Sequence, residues 1–342
     1  MRSPDLSPFR NVETMKTLER LILAAGLATV AYLLWRFDAR AVWSMISQVG
    51  IAGALAILAF QIFDHLLNAL GWRFAFEAAD AARIPLWRLV LVRIAGDGVN
   101  YLTPSGTIAG ELIRPGMLAA EVPEDIRNSS VIVAKFSQSM GQAFFIFLGL
   151  IFVLQGELNP LEGRNRAYAS AAALFVIIMV AAGLWVFTAE NAPGWFNRFK
   201  RLDGVRLRMR SYLRRHPGRY AASIFFFMLG YGWGAVEVLV ICHFMGIAIA
   251  PMTALAVEVL SNVIDSLLFM VPAKVGTQEA GKTAIFHGLG YAASQGLAFG
   301  LIRHTREVCW AAFGFALYAL KRRRPPALAP LPTAATPNAR AD

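Results

Sequence analysis

Two stretches decide the fold: Asp97-Gly-Val-Asn-Tyr-Leu-Thr-Pro-Ser-Gly-Thr-Ile-Ala-Gly-Glu-Leu-Ile-Arg114, and Asp265-Ser-Leu-Leu-Phe-Met-Val-Pro-Ala-Lys-Val-Gly-Thr-Gln-Glu-Ala-Gly-Lys282. Asp97, Pro104, Glu111 and Arg114 recur as Asp265, Pro272, Glu279 and Lys282, each 168 residues further on. At the same offset Lys135 answers to Arg303. Each copy has a proline, which withholds a backbone donor and clashes with the preceding helical turn. Glycines lie nearby: Gly96, Gly98, Gly106 and Gly110 in the first copy, Gly276 and Gly281 in the second. Each copy therefore predicts a helix, a break and a second helix.

The surroundings of both copies are apolar. Of 342 residues 57% are hydrophobic and 16% charged, against roughly 45–50% and 25% in ordinary soluble domains. The apolar residues fall in runs: Leu21 to Trp35, Gly50 to Trp72, Ser129 to Gln155, Ala167 to Ala189, Ala221 to Met245 and Ala292 to Leu320. Runs of about this length are read as membrane helices. The broken regions, Leu89–Leu118 and Pro251–Leu289, lie among them. Irregular backbone at membrane depth is tolerated only inside protein or beside a cavity, so two hairpins dipping into the bundle are expected. The expected fold is all-α: a polytopic membrane helix bundle with inverted repeats and two re-entrant helical hairpins. Its membrane domain spans 18–320, with repeat one at about 50–155 and repeat two at about 221–320. Residues 1–17 are expected to form a polar N-terminal segment, and 321–342 a basic, Pro/Ala-rich tail expected to be disordered.

The net charge of +11 does not point to nucleic acid, because the cations flank apolar runs. Asn191 to Arg219 holds Arg198, Lys200, Arg201, Arg206, Arg208, Arg210, Arg214, Arg215 and Arg219 against Asp203 alone, and the tail begins Lys321-Arg-Arg-Arg324. The positive-inside rule puts both in the cytoplasm. Six crossings satisfy that if each broken region enters and leaves on one side, with both termini cytoplasmic in a bacterial-type inner membrane. No signal-peptide cleavage site is visible. The two cysteines, Cys242 and Cys309, sit in apolar runs and suggest neither a disulfide framework nor zinc.

Ionisable residues inside membrane segments point to function. The candidates for a lipid or ion path are Asp97, Asn100, Pro104, Gly110, Glu111, Arg114 and Lys135 in the first half. In the second half they are Asp265, Pro272, Lys274, Gly276, Glu279, Lys282, Arg303 and Glu307. Three spacings also allow plain helix ion pairs: Glu111 with Arg114, Glu279 with Lys282, and Arg303 with Glu307. Asp64 and His65 read as a polar bundle contact or a proton-relay element, and Glu237 and Glu258 similarly. The helix after each break would aim its free amides at the cavity, an arrangement that favours an anion such as a phosphate. No zinc spacing, supportable Ser-His-Asp set or P-loop is present, so no metal, cofactor or catalytic residue is expected.

Asn100, Pro104, Ala109-Gly110-Glu111 and Arg114 resemble the first motif of the membrane domain of lysylphosphatidylglycerol synthases, a flippase-like family. Pro272-Ala-Lys-Val-Gly276-Thr-Gln-Glu279 resembles the second. The resemblance covers about residues 15 to 320. The sequence departs from it at Ala109, and at Ala273-Lys274 where glycines are usual. The resemblance implies two re-entrant hairpins and lipid translocation between leaflets; relatives handle aminoacylated phosphatidylglycerol, isoprenoid-linked sugars or hopanoid-related lipids. Only Lys321 to Asp342 follows the last apolar run, so synthesis of an aminoacyl lipid by this chain alone is not expected. Three functions stand open: lipid translocation with a membrane lipid, anionic or phosphate-bearing, as partner; a lipid-binding scaffold for a cytosolic or membrane synthase; and a membrane-embedded lipid-modifying enzyme.

Overall fold

The computed structural model describes residues 24–103, 108–155, 209–268, 271 and 274–322, with single positions between 170 and 181. Among the described residues all regular structure is helical. The elements are α1 (24–36), α2 (Ala39–Arg73), α3 (Ala78–Arg83), α4 (Leu86–Leu102), α5 (Ala109–Met117) and α6 (Glu124–Gln155), then α7 (209–215), α8 (Pro217–Phe244), α9 (Pro251–Leu267), α10 (Thr277–Gly288) and α11 (Ala293–Arg322). Pro104, Pro272, most of the fourth apolar run, the stretch 191–208 of the basic loop and both chain ends lie outside the described residues.

Among the described residues three helices are long and apolar enough to cross a membrane: Ala39–Arg73, Glu124–Val153 and Pro217–Phe244. The chain is an integral membrane helix bundle. Helix α11 is as long, but Arg303, Arg306 and Glu307 stand in its middle, so composition alone does not mark it as a span. The run expected to begin at Gly50 begins at Ala39 instead. Asp38 caps it, accepting from the amides of Arg40 and Ala41 at 3.1 and 3.3 Å. Gly50 then kinks the helix with a left-handed φ of 60°, a conformation open to a residue without a Cβ.

The long helices meet through small residues, as membrane helices do where no water drives apolar faces together. α2 and α8 run antiparallel. Gly71 lies under Phe227 and Gly53 under Phe244, and Ser223 Oγ donates to the Gly71 carbonyl at 2.7 Å. Gly141 of α6 packs on the α8 backbone at Ile224 and Met228. Gly98 and Gly314 bring α4 and α11 into backbone contact, and Gly296 and Gly300 do the same for α10 and α11. Outward-facing apolar residues such as Ile51 (82% exposed) and Trp43 (69%) make the lipid-facing surface.

The connections sort to two ends. At one, Tyr212 Oη donates to the Phe74 and Phe76 carbonyls at 2.6 and 3.0 Å, Arg219 Nε to Phe76 at 2.7 Å, and Arg88 pairs with Glu121 at 2.8 Å. Lys321 Nζ donates to the Met117 carbonyl there. Arg73, Arg83, Arg127, Arg210, Arg214 and Arg215 lie on the same elements, so this end is cationic. At the other end Tyr291 Oη donates to the Ala248 carbonyl at 3.4 Å, and Gly246 abuts Gln48.

Candidate functional site

Each broken region is a helical hairpin. In the first, α5 folds back along α4: Gly110 rests on the Gly96 carbonyl, and the Gly110 amide donates to Asn100 Oδ1 at 2.6 Å. Its outer ends, near Arg88 and Glu121, lie at the cationic end of the bundle. In the second, α10 returns against α9 with Gly281 facing Ile264, and its outer ends, near Ala248 and Tyr291, lie at the opposite end. α5 begins at residue 109 and α10 at residue 277, the same 168-residue offset that relates the motifs.

Among the described residues three apolar cores fill the bundle: a small one joins α6 and α9 around Ile146 and Val259, and the two larger lie one toward each end. One contains Ile57, Val238, Ile241, Leu297 and Phe299, the other Ala69, Leu89, Val92 and Phe227. Between them lies a polar layer: Gln61, Asp64, His65 and Asn68 on α2, Glu237 on α8, and Arg303, His304, Arg306 and Glu307 on α11. Asp97 and Asn100 extend it on α4. Charged groups at this depth persist only when paired, and here they pair in two networks.

The first network gathers on hairpin one. Arg114, 3% exposed, bonds Asp97 at 2.6 Å and also Glu111. Lys135 of α6 reaches Glu111 at 3.5 Å. Arg93 lies 3.7 Å from Asp97 and donates to Asn68 Oδ1 at 3.2 Å, and Asn68 in turn donates to Asp64 at 2.9 Å. Gln61 donates to Asp64 at 2.8 Å. The result is one polar chain from α2 through α4 and α5 to α6.

The second network gathers on hairpin two and α11. Arg303 forms a two-pronged pair with Glu258, at 2.5 and 3.0 Å, and lies 3.7 Å from Glu237. Arg306 pairs with Glu237, and with Glu307 at 3.4 Å. Gln278 donates to Glu307 at 2.7 Å. His304 Nδ1 meets Glu279 at 2.5 Å, and the same carboxylate accepts the Gly276 amide at 2.8 Å. Lys274 pairs with Asp265 at 2.9 Å.

Several expectations are corrected. Glu279 is bound to His304 and Gly276 rather than to Lys282, which is 2% exposed and packs along Gly300. Arg303 does not close on Glu307 one turn away, because Glu258 of α9 offers both carboxylate oxygens to its planar fork. At each half-helix N-terminus one amide is already taken by a side chain of this protein, Asn100 or Glu279. Lys274 has a left-handed φ of 53°, which explains why the resemblance sets glycines around this position. Gly26 of α1 lies against Val275 and Gly276 beside it.

Sequence reasoning passed over Arg93, Asn68 and His304. Arg93 and Asp97, and Asp64 and Asn68, stand four apart on one helix face, a signal open to reading. His304 stands one residue from the position that the offset gives for Lys135. In both copies the hairpin glutamate draws a basic partner from the next long helix, Lys135 for Glu111 and His304 for Glu279. The networks approach each other across α11, where Tyr101 of α4 lies edge-on to His304 at 6.2 Å between ring centroids. A separate cavity of about 310 Å³ lies at the cationic end, lined by Glu77, Asp80, Asp125, Tyr212 and Arg215 among others. None of the residues of the two networks lines it.

A helical bundle with membrane-crossing helices and a polar, glycine-packed middle layer defines an integral membrane protein. The chain is a member of a family in that class: the profile of the lysylphosphatidylglycerol synthase TM region matches residues 21–321. No curated protein and no solved structure matches it.

Proposed function

We propose that this protein moves a membrane lipid between leaflets, passing its headgroup through the polar layer between two re-entrant hairpins arranged as inverted repeats. One observation carries the reading. Two ion-pair networks, each seated on a broken hairpin, face α11 from opposite directions, and the hairpins open toward opposite ends of the bundle. That arrangement is the one used for sites alternately reached from two sides. The family supports lipid as the cargo. The cationic end faces the cytoplasm of a bacterial-type inner membrane in this reading. An anionic or phosphate-bearing headgroup enters by exchanging partners with Arg114, Lys135 or Arg303, whose carboxylates it displaces.

The test is leaflet-specific labelling of lipid in vesicles carrying Glu111→Gln, Arg114→Gln, Glu279→Gln or Arg303→Gln protein. Exchange slowed about tenfold or more is expected where a charge-assisted contact is lost. Wild-type exchange in all four variants would overturn the assignment of these residues. A second reading, a scaffold for a cytosolic synthase, draws on the cavity at the cationic end, to which Arg215 of the basic loop contributes. Co-purification of one soluble partner, lost when Arg210, Arg214 and Arg215 are neutralised, would favour it.

A further inference from the structure

Hairpin two repeats the charged residues of hairpin one but pairs them differently. In hairpin one Arg114 bonds Asp97 at 2.6 Å and also Glu111. The 168-residue offset sets Lys282, Asp265 and Glu279 in those three places. Both acids of hairpin two are committed elsewhere. Asp265 bonds Lys274 at 2.9 Å, and Glu279 bonds His304 at 2.5 Å and the Gly276 amide at 2.8 Å. In the first copy the places of Lys274 and His304 are held by Gly106 and Phe136, which carry no charge. Two added bases have thus drawn away the two carboxylates that would serve Lys282.

Lys282 is 2% exposed. Arg93, Arg114, Lys135, Lys274, Arg303 and Arg306 each pair with a carboxylate; among the described residues Lys282 is the lysine or arginine of the layer that does not. Its carbonyl lies beside Gly296 of α11, and its Cβ and Cγ lie beside Gly300. The stem therefore runs along α11 toward Arg303 and His304, the direction of the polar layer. A charge buried in this medium without a partner is costly, so an ammonium here calls for an anion from outside the protein. One ammonium answers one negative charge. A phosphodiester carries one, whereas a phosphomonoester would bring a second onto a hairpin that already holds Asp265 and Glu279.

We propose that Lys282 is an anion-binding residue inside the bundle and that it takes the phosphodiester of a lipid headgroup. The lipid as source rests on the lipid-moving reading; the anion site does not. No carboxylate loses a partner when Lys282 is removed. Full-length Lys282→Met protein in detergent should therefore melt at the wild-type temperature or above, whereas Arg114→Met, which strands two acids, should melt lower. Dioctanoyl phosphatidylglycerol should raise the wild-type melting temperature by binding the folded state. Lys282→Met and Lys282→Gln should each need about tenfold more lipid for the same rise, as for loss of one charged contact. A Lys282→Met variant that melts as low as Arg114→Met would make Lys282 a structural counter-ion and overturn the site. So would an equal lipid response in the wild type and both variants.

Inorganic phosphate is the second probe. A wild-type response to it that Lys282→Met lacks, with no response to phosphatidylglycerol, keeps the anion site and overturns lipid as its source. Leaflet exchange in vesicles of phosphatidylethanolamine and phosphatidylglycerol is the third measurement. It should slow about tenfold in Lys282→Met. Weakened lipid binding with wild-type exchange sinks the lipid-moving reading and leaves the site standing. Slowed exchange with unchanged binding does the reverse.

Discussion

Arg303 is held between two carboxylates, Glu258 and Glu237, which are 3% and 4% exposed. Removing one member of a buried pair costs more than the pair contributes, because the partner is left ionised in a poor solvent. Arg303→Met should therefore destabilise the protein by about 3–5 kcal/mol. The apparent melting temperature in detergent should fall by on the order of 10 °C. Arg303→Met with Glu258→Gln should recover much of that loss. An unchanged melting temperature in the single variant would mean that the pair does not hold the bundle. The two residues were visible as intramembrane charges, but their pairing was not. They lie 45 positions apart, and nothing in spacing announces contact between separate helices. Glu111 and Arg114 were legible as a pair because one helix turn brings them together.

At the scale of elements, the glycines decide which helices can touch. A Cβ at Gly314 would collide with the Ile94 carbonyl oxygen, and one at Gly98 would meet the backbone of Ala311 and Phe315. Gly314→Val should force α4 and α11 apart and carry hairpin one away from α11. Little monodisperse protein should then survive extraction, since overpacking against backbone has no side chain to yield. Gly218 in the first turn of α8 has nothing within 4 Å of its would-be Cβ. Gly218→Ala should be tolerated or add about 0.5–1 kcal/mol through the helical preference of alanine. Equal behaviour of the two variants in size-exclusion profiles would discredit the α4–α11 contact. A helix, a break and a second helix in each copy were readable from proline and glycine, although the second helix of the later copy starts at Thr277, earlier than the apolar piece from Ala284 suggested. The partner of each hairpin was not, because a glycine shows only that something may come close, not what does.

For the whole molecule, the proposed orientation rests on the distribution of cations. Arg73, Arg88, Arg214, Arg215, Arg219 and Lys321 stand together at one end, while the described basic residues near the other are Arg36 and Arg40. With Cys242 and Cys309 replaced by serine, Ala292→Cys should react with an impermeant maleimide in intact cells. Arg214→Cys should react only after permeabilisation. The reverse pattern would invert the proposed topology and, with it, the side from which each hairpin is reached.

Apolar runs pointed to a helical membrane protein, and the two proline-broken motifs carried the resemblance to its family. Those features are local or additive, and each can be read along the chain without knowing what lies opposite. Only the tertiary structure decided that Glu279 binds His304 and that Arg303 serves Glu258. In a medium that solvates no charge, partners are chosen by which helices come within hydrogen-bond reach, and that is a property of packing rather than of order along the chain.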